Sequence, residues 1–340
     1  MVKEKRKRVE WVDTARGLGI LMVMYGHTYL DWKYVFWCYA FHMALFFSLS
    51  GYVFHPIDFS SFLKKRVKGL IVPYIFFAVV ITVYNWVGAV SHSNMFSMQD
   101  AALPYLIQIR YTHLWFLPCL FLAELGTWFI FRFYSKEDRK KNNYLFIAFA
   151  LIILFFVYRN CIGVDLPWNA DLSVLAMGFM LLGIWYHLCV DDYVSVKCRS
   201  FLLVFIVITT HFIITWVAFI TTESVDWYSN RFGNPLFFIL GSCTGIFATI
   251  LISKRLHLRQ LASIGANGIV WYGLHRIVID MTFIIYNKMQ VHIIKGSLLS
   301  VVLAVVSVGI AVIVLVPVNI VITKYFPFLI GRKKRRLRND

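Results

Sequence analysis

Three ionisable side chains interrupt the first long apolar stretch of the chain, residues 11–30: Asp13, Arg16 and His27. An α-helix turns about 100° per residue, so Arg16 and His27 project within roughly 20° of each other and Asp13 within about 60° of Arg16. Ionisable groups inside a membrane span are costly unless they face a protein interior or a wet cavity, so they are functional candidates. Histidine exchanges a proton near neutral pH, and arginine binds oxyanions. The alternative is a structural Asp13–Arg16 pair with His27 bonded to a neighbouring helix.

Three further candidates lie in other apolar stretches. His42 is in the second stretch, 34–54, and the short turn before it makes the first two stretches neighbours, so His42 and His27 can approach each other. Glu124 is a carboxylate near the middle of a span, where the same cost applies. Trp115 begins that span and is a candidate for substrate contact. It is equally typical of an anchor at the membrane interface.

A basic cluster precedes the third apolar stretch. Its members are Lys64, Lys65, Arg66 and Lys68. Lysine and arginine are the usual partners of phosphate, so the cluster predicts a site for a phosphorylated ligand from the cytosol. A topology signal would explain it equally well. No glycine-rich phosphate loop accompanies the cluster, which excludes the common nucleotide-hydrolysing motif.

The ninth apolar stretch carries His275, Arg276 and Asp280. The spacing of four residues predicts that Arg276 and Asp280 pair along one helix face. His275 projects elsewhere and is a candidate ligand contact. The segment 221–234, by contrast, is polar and aromatic, a composition compatible with sugar contact. It is equally compatible with an ordinary solvated loop, which we favour.

These residues must be positioned by membrane helices. The 340 residues are 60% hydrophobic and 18% aromatic, far more apolar than soluble domains. Separate apolar runs of about 20 residues are typical of α-helical spans and not of a barrel. The predicted fold is therefore an all-α polytopic membrane protein with about ten transmembrane helices. The expected spans are 11–30, 34–54, 70–90, 114–131, 144–158, 170–188, 201–220, 235–253, 265–286 and 298–320.

The distribution of charge predicts the topology. With the N-terminus inside, 26 of the 34 Lys and Arg residues lie in cytoplasmic segments, 6 outside and 2 within spans. This asymmetry places both termini in the cytoplasm. It divides the chain into a basic arm at 1–10, a transmembrane domain at 11–323 and a basic tail at 324–340. The basic ends are expected to contact anionic lipids of the cell membrane.

Other site classes find little support in the sequence. The net charge of +17 comes from basic segments that flank membrane spans. No nucleic-acid-reading module accompanies them, so nucleic-acid binding is not expected. The six cysteines are scattered and have no metal-ligand spacing, so we expect neither a structural metal nor a disulfide framework.

Five motifs in chain order resemble those of the membrane acyltransferase-3 family, and most closely its fucose O-acetylase-like branch. They are WVDTARGLGILMVMYGHT, FHMALFFSLSGYVF, the basic cluster running into LIVPY, HLWFLPCLF with Glu124, and WYGLH. The resemblance implies a ten-helix enzyme that transfers an acyl group, usually acetyl from acetyl-CoA, to a hydroxyl of a cell-surface or exported carbohydrate, including a lipid-linked one. Two positions depart from the family pattern: Ala44 replaces a proline, and Gly69 stands where arginine is common.

The resemblance also implies roles for the candidate residues. The family's first-helix arginine and histidine correspond to Arg16 and His27, and its CoA-binding basic loop corresponds to 65–68, with Lys65, Arg66 and Lys68. We expect His27 to take the proton from the acceptor hydroxyl or to carry the acyl group transiently. Arg16 would bind the donor, with Asp13 orienting it. The expected substrate contacts are His42, Glu124, Trp115 and His275.

A glycan exporter is the alternative function. Polar residues inside ten spans also mark substrate pathways in transporters. An exporter would not need a cationic site for a CoA nucleotide.

Overall fold

The computed structural model of the chain describes residues 9–28, 30, 37–91, 98–134, 141–197, 200–222, 225–256 and 258–332. Most of the predicted basic arm and the end of the basic tail, 333–340, lie outside these ranges. The proposed division of the chain at 1–10 and 324–340 therefore stays a prediction.

Within the described ranges the fold is helical. An isolated bridge between Asp226 and Arg231 is the only β-type pairing among those residues. The α-helices are α1 (Glu10–Gly26), α2 (His42–Tyr52), α3 (Phe59–Arg66), α4 (Val72–Ser91), α5 (Met98–Ile107), α6 (Phe116–Tyr134), α7 (Asn143–Cys161), α8 (Ala170–Trp185), α9 (Asp191–Lys197), α10 (Phe201–Thr221), α11 (Pro235–Arg255), α12 (Arg259–Ala266), α13 (Gly268–Lys288) and α14 (Leu298–Tyr325).

Eight helical segments of the described chain are long and apolar enough to cross a membrane. They correspond to the third to tenth predicted spans, so the chain is a multi-pass membrane protein. Among the described residues of the first two predicted spans, α1 has 17 residues and α2 has 11, so neither is among these eight segments. The total of ten spans and the cytoplasmic termini stay predictions.

The second predicted span is interrupted. Residues 37–39 are helical, a turn follows at Ala40 and Phe41, in which Phe41 adopts φ −141° and ψ −17°, and α2 then begins at His42. The break leaves the carbonyl of Ala40 outside the helical hydrogen-bond pattern, and the hydroxyl of Ser242 on α11 donates to it at 2.8 Å. The expectation of continuous helix across these residues was therefore wrong. A contact distant in sequence satisfies the backbone group that the break exposes.

The basic cluster is helical rather than a loop. Asp58 caps α3 by accepting hydrogen bonds from the backbone amides of Ser60 and Ser61 at 3.1 and 3.0 Å. A π-helical turn, Val67–Ile71, then joins α3 to α4. Pro73 follows it and cannot donate a backbone hydrogen bond, and the wider turn accommodates this loss without breaking the helix.

Small residues bring α1 and α12 into close contact. A Cβ atom on Gly17 would collide with the backbone of Leu261, and one on Gly265 would collide with the carbonyl of Asp13. The two backbones therefore touch without intervening side chains. This contact fixes the part of α1 that carries Asp13 and Arg16, while the opposite end of α1 packs near α13.

Candidate active site

A cavity of about 560 Å³ opens beside the C-terminal end of α1. Its walls come from α1, α2, α4, α13, the segment before α6, and the loop before α11. The lining residues are Val23, His27, Tyr39, His42, Met43, Ile81, Tyr84, Asn85, Thr112, His113, Trp115, Val225, Asp226, Trp227, Tyr228, Arg231, Tyr272, Arg276, Ile277 and Asp280. This volume is in the range of small-molecule sites.

His27 and His275 are in direct contact. His27 is the C-cap residue of α1, and its Nδ1 atom lies 2.9 Å from the carbonyl oxygen of Val23 and 3.0 Å from Nε2 of His275. The Nδ1 atom of His275 lies 2.8 Å from the carbonyl of Tyr272 and 3.1 Å from that of Trp271. His27 lines the cavity, whereas His275 is fully buried behind it and is not among the lining residues. The expected contact of His275 with substrate therefore does not fit its location.

These contacts indicate the tautomers of the two neutral rings. Backbone carbonyls only accept hydrogen bonds, so Nδ1 of His275 carries the hydrogen and its Nε2 is an acceptor. Nδ1 of His27 then donates, toward His275 and toward Val23. The proton-accepting lone pair of His27 is therefore on Nε2, as a general base requires.

His113 completes a group of three histidines. Its ring centroid lies 5.1 Å from that of His275 and 6.1 Å from that of His27. The Nε2 atom of His113 lies 3.3 Å from the carbonyl of Gly273, and the hydroxyl of Tyr272 donates to the His113 carbonyl. Within the described part of the chain, no three His, Cys, Asp or Glu side chains are arranged to hold a metal ion. We did not predict a role for His113, although it opens the quoted motif HLWFLPCLF.

Two other predicted residues reach the same cavity. His42 lines it near Tyr39, whose ring centroid lies 4.8 Å away, and its Nδ1 donates to the carbonyl of Cys38 at 2.9 Å. Trp115 is buried and stacks nearly parallel to Trp227, with 6.4 Å between ring centroids. Burial of Trp115 inside the protein argues against the role of an interface anchor. His42 and His27 line the same cavity.

The loop before α11 is part of the cavity wall, so the expectation of an ordinary solvated loop was wrong. Trp227 is only 1% exposed and belongs to the hydrophobic core. The Asp226 carboxylate accepts hydrogen bonds from the amide of Tyr228 at 3.0 Å and the hydroxyl of Ser229 at 2.5 Å. This local turn directs Trp227 inward and leaves polar neighbours at the cavity.

A second polar cluster lies toward the other end of α1. Arg16 is 3.8 Å from the Asp13 carboxylate, and Nε of Arg66 is 2.7 Å from the Glu124 carboxylate. Arg66 and Glu124 form an ion pair without the alignment of a good hydrogen bond. Arg16 and Lys65 also act electrostatically on Glu124. The structure thus brings Asp13, Arg16, Lys65, Arg66 and Glu124 together.

Glu124 lies apart from the three histidines. It is 3% exposed and does not line the cavity. The expectation that it positions the acceptor beside His27 therefore does not fit its location. Its location fits a role beside Arg16 and Arg66 instead. Lys68, by contrast, lies exposed on the π-helical turn that follows these residues.

A buried ionic network supports the segment that carries His113. Arg110 is 6% exposed and bonds to the carboxylates of Asp165 and Asp171. Its backbone amide donates to Oδ1 of Asn169 at 3.0 Å, and Nδ2 of Asn169 donates to the carbonyl of Trp115 at 3.1 Å. The sequence offered no spacing signal for this network, because Arg110 and Asp171 lie 61 residues apart.

Comparison with known proteins gives one match. A family model described as an acyltransferase domain matches residues 9–316. No curated protein and no solved structure matches the chain.

Proposed function

Because the chain belongs to this membrane acyltransferase family, whose domain spans residues 9–316, we propose that it is an O-acetyltransferase of the cell membrane. It transfers the acetyl group of acetyl-CoA to a hydroxyl of a cell-surface or exported carbohydrate. The observation that best supports this proposal is the 3.0 Å contact between His275 and His27 beside the cavity. That contact gives His27 the tautomer of a general base.

The acceptor binds in the cavity, with one hydroxyl directed at Nε2 of His27. As the hydroxyl oxygen attacks the thioester carbonyl, its proton passes to Nε2. A carbon–oxygen bond forms and the carbon–sulfur bond breaks. The CoA thiolate leaves with the electron pair of that bond and takes the proton from the His27 imidazolium. His275 stays neutral and holds His27 through its Nε2 acceptor.

The donor is held by the cluster at the other end of α1. Arg16, Lys65, Arg66 and Lys68 supply cations for the phosphates and carbonyl oxygens of acetyl-CoA. Asp13 and Glu124 orient Arg16 and Arg66 respectively. Arg16 and His27 are eleven residues apart, or about 16 Å of helical rise. The flexible pantetheine arm of acetyl-CoA spans this distance and brings the thioester at its end to His27.

The charge distribution supports a direction for the reaction. Both termini and the donor cluster face the cytosol in this proposal, where acetyl-CoA is made, and the basic ends contact anionic lipids. The cavity then lies in the outer half of the membrane. An acceptor that is exported or lipid-linked meets the acetyl group there.

Mass spectrometry of surface glycans tests the proposal. Cells supplied with labelled acetate express wild type, His27→Ala, Arg16→Ala or the control His187→Ala at matched membrane levels. His187 is exposed and does not line the cavity. We expect ester-linked label in wild type and His187→Ala, and its loss from the other two variants with glycan quantity unchanged. Unchanged ester content with less exported glycan would contradict the proposal and favour an exporter.

A further inference from the structure

We propose that the acceptor unit in the cavity is an uncharged sugar, and that the Arg276–Asp280 pair binds its hydroxyl groups. The inference rests on the proposed function and adds the substrate class. Nε of Arg276 donates to both carboxylate oxygens of Asp280, at 2.9 and 3.1 Å. Both side chains line the cavity and are about one-third exposed, at 33% and 35%. They are therefore accessible to a bound ligand.

The charges of the described cavity wall occur as opposite pairs. Besides Arg276 and Asp280, the wall contains Arg231 and Asp226, whose charged groups lie 3.6 Å apart. A sugar carboxylate would have to compete with an internal carboxylate for each guanidinium, and it would be repelled by that carboxylate. A sugar ammonium group would have to compete with an internal guanidinium for each carboxylate, and it would be repelled by that guanidinium. The wall therefore disfavours charged sugars of either sign.

Neutral hydroxyls fit the same pairs. A carboxylate accepts hydrogen bonds and a guanidinium donates them, so adjacent sugar hydroxyls can bridge Arg276 and Asp280 without net charge. A fully apolar acceptor would take this charged pair out of water and offer it no hydrogen bonds in return, which is costly. The ligand that satisfies the wall is polar and uncharged.

Aromatic side chains supply the remainder of the wall. The cavity-lining rings include Tyr39, Tyr84, Trp115, Tyr228 and Tyr272. Flat aromatic faces pack against the C–H faces of a sugar ring, and their hydroxyl or indole groups can still bind polar partners. A site with apolar rings and a few polar groups holds a ligand in one orientation.

The pair also lies close to the reacting residues. Arg276 directly follows His275, and it acts electrostatically on His27, His113 and His275. A sugar bound by Arg276 and Asp280 therefore lies beside the histidines. We assign this pair to acceptor recognition and positioning, with proton transfer left to His27.

Matched acceptors test the inference on the protein reconstituted in nanodiscs with labelled acetyl-CoA. The neutral probes are methyl glycosides of glucose, galactose and fucose, and the charged probes are methyl glucuronide, methyl galacturonide and methyl glucosaminide. We expect wild type to label a neutral glycoside with kcat/KM at least roughly tenfold above the charged probe of the same ring. Asp280→Asn should raise the uronide-to-neutral ratio roughly tenfold, because it leaves Arg276 uncompensated.

Two further variants complete the charge series. Arg276→Gln should raise kcat/KM for methyl glucosaminide relative to that for the neutral glycosides. The double variant Arg276→Gln with Asp280→Asn should restore the preference for neutral glycosides at a reduced rate. Preference of wild type for a uronide, label on none of the neutral probes, or an unchanged ratio in an active Asp280→Asn protein would overturn the inference. The proposed function would fail separately, through absence of His27-dependent acetyl esters on the cell glycans.

Discussion

Nε2 of His275 accepts the hydrogen bond of His27 Nδ1 across 3.0 Å, joining α13 to the end of α1. His275 is fully buried, and its own Nδ1 is occupied by backbone carbonyls. The imidazole of His275 therefore acts as a fixed acceptor. Its effect on the reaction is to hold the ring orientation and tautomer of His27.

This relationship predicts different effects for two substitutions at position 275. His275→Gln keeps an acceptor oxygen and should retain kcat within about tenfold of wild type. His275→Leu removes the acceptor and should lower kcat about 10²-fold or more, in the range of general base catalysis, with KM for the acceptor nearly unchanged. Acceptor-dependent release of CoA thiol measures both constants. Equal losses in the two variants, with a raised KM, would indicate a packing role only.

The donor site predicts an effect of the exposed lysines of the basic cluster. Lys65→Gln and Lys68→Gln should each raise KM for acetyl-CoA severalfold with little change in kcat, because each removes a charge that binds donor phosphate. Added salt should reduce these differences. Lys64→Gln is the matched control, since Lys64 acts on Asp58 at the start of the helix rather than on Glu124. An equal rise in KM for Lys64→Gln would contradict a specific site.

The contact between α1 and α12 predicts a stability difference between two glycines. Gly17→Ala introduces a Cβ atom against the Leu261 backbone and should lower the free energy of unfolding by about 1–3 kcal/mol. Gly309→Ala on α14 meets no atom within 4 Å and should be neutral or slightly stabilising. Thermal unfolding in detergent measures both. Equal free energies of unfolding of the two variants would show that α1 and α12 move apart to accept the added Cβ atom without a loss of stability.

The cap formed by Asp58 predicts that the stability of the first turn of α3 depends on pH. Hydrogen bonds from the side chain and backbone of Ser61, then from the backbone of Ser60, lower the pKa of the Asp58 carboxyl below its usual value. The contribution of this cap to folding is therefore complete above the ordinary pKa of about 3.9 and is lost as the pH falls through the lowered value. Hydrogen exchange at Ser60 and Ser61 should accelerate only in that acidic range. Asp58→Asn should remove this acid-dependent acceleration of exchange. The same pH profile of exchange in Asp58→Asn as in wild type would contradict the role of the Asp58 carboxylate.

Much of the fold follows from local pattern. The eight long apolar helices were predictable because length and hydropathy suffice to identify a span. The pairing of Arg276 with Asp280 was predictable from the helical spacing of four residues, and the structure confirms it. The contact between α1 and α2, which both contribute to the cavity wall, agrees with the expectation that the first two stretches are neighbours.

The remaining features depend on contacts between distant segments. The break at Ala40 has no proline or glycine to mark it, and its exposed carbonyl is satisfied by Ser242, 202 residues away. The inward turn of the loop with Trp227 depends on the core it joins. The contact of His275 with His27 spans 248 residues. A single sequence carries no local signal for such pairs.

The most direct test of the account is acetyl transfer by the reconstituted protein with His27 altered. Wild type, His27→Ala and His187→Ala are supplied with labelled acetyl-CoA and with the glycan that loses its ester in His27→Ala cells. We predict that His27→Ala lowers kcat/KM for the glycan about 10²–10⁴-fold, while KM for acetyl-CoA and the unfolding temperature stay near those of wild type. Transfer by His27→Ala within about twofold of wild type and of His187→Ala would contradict the assignment of His27 as the base.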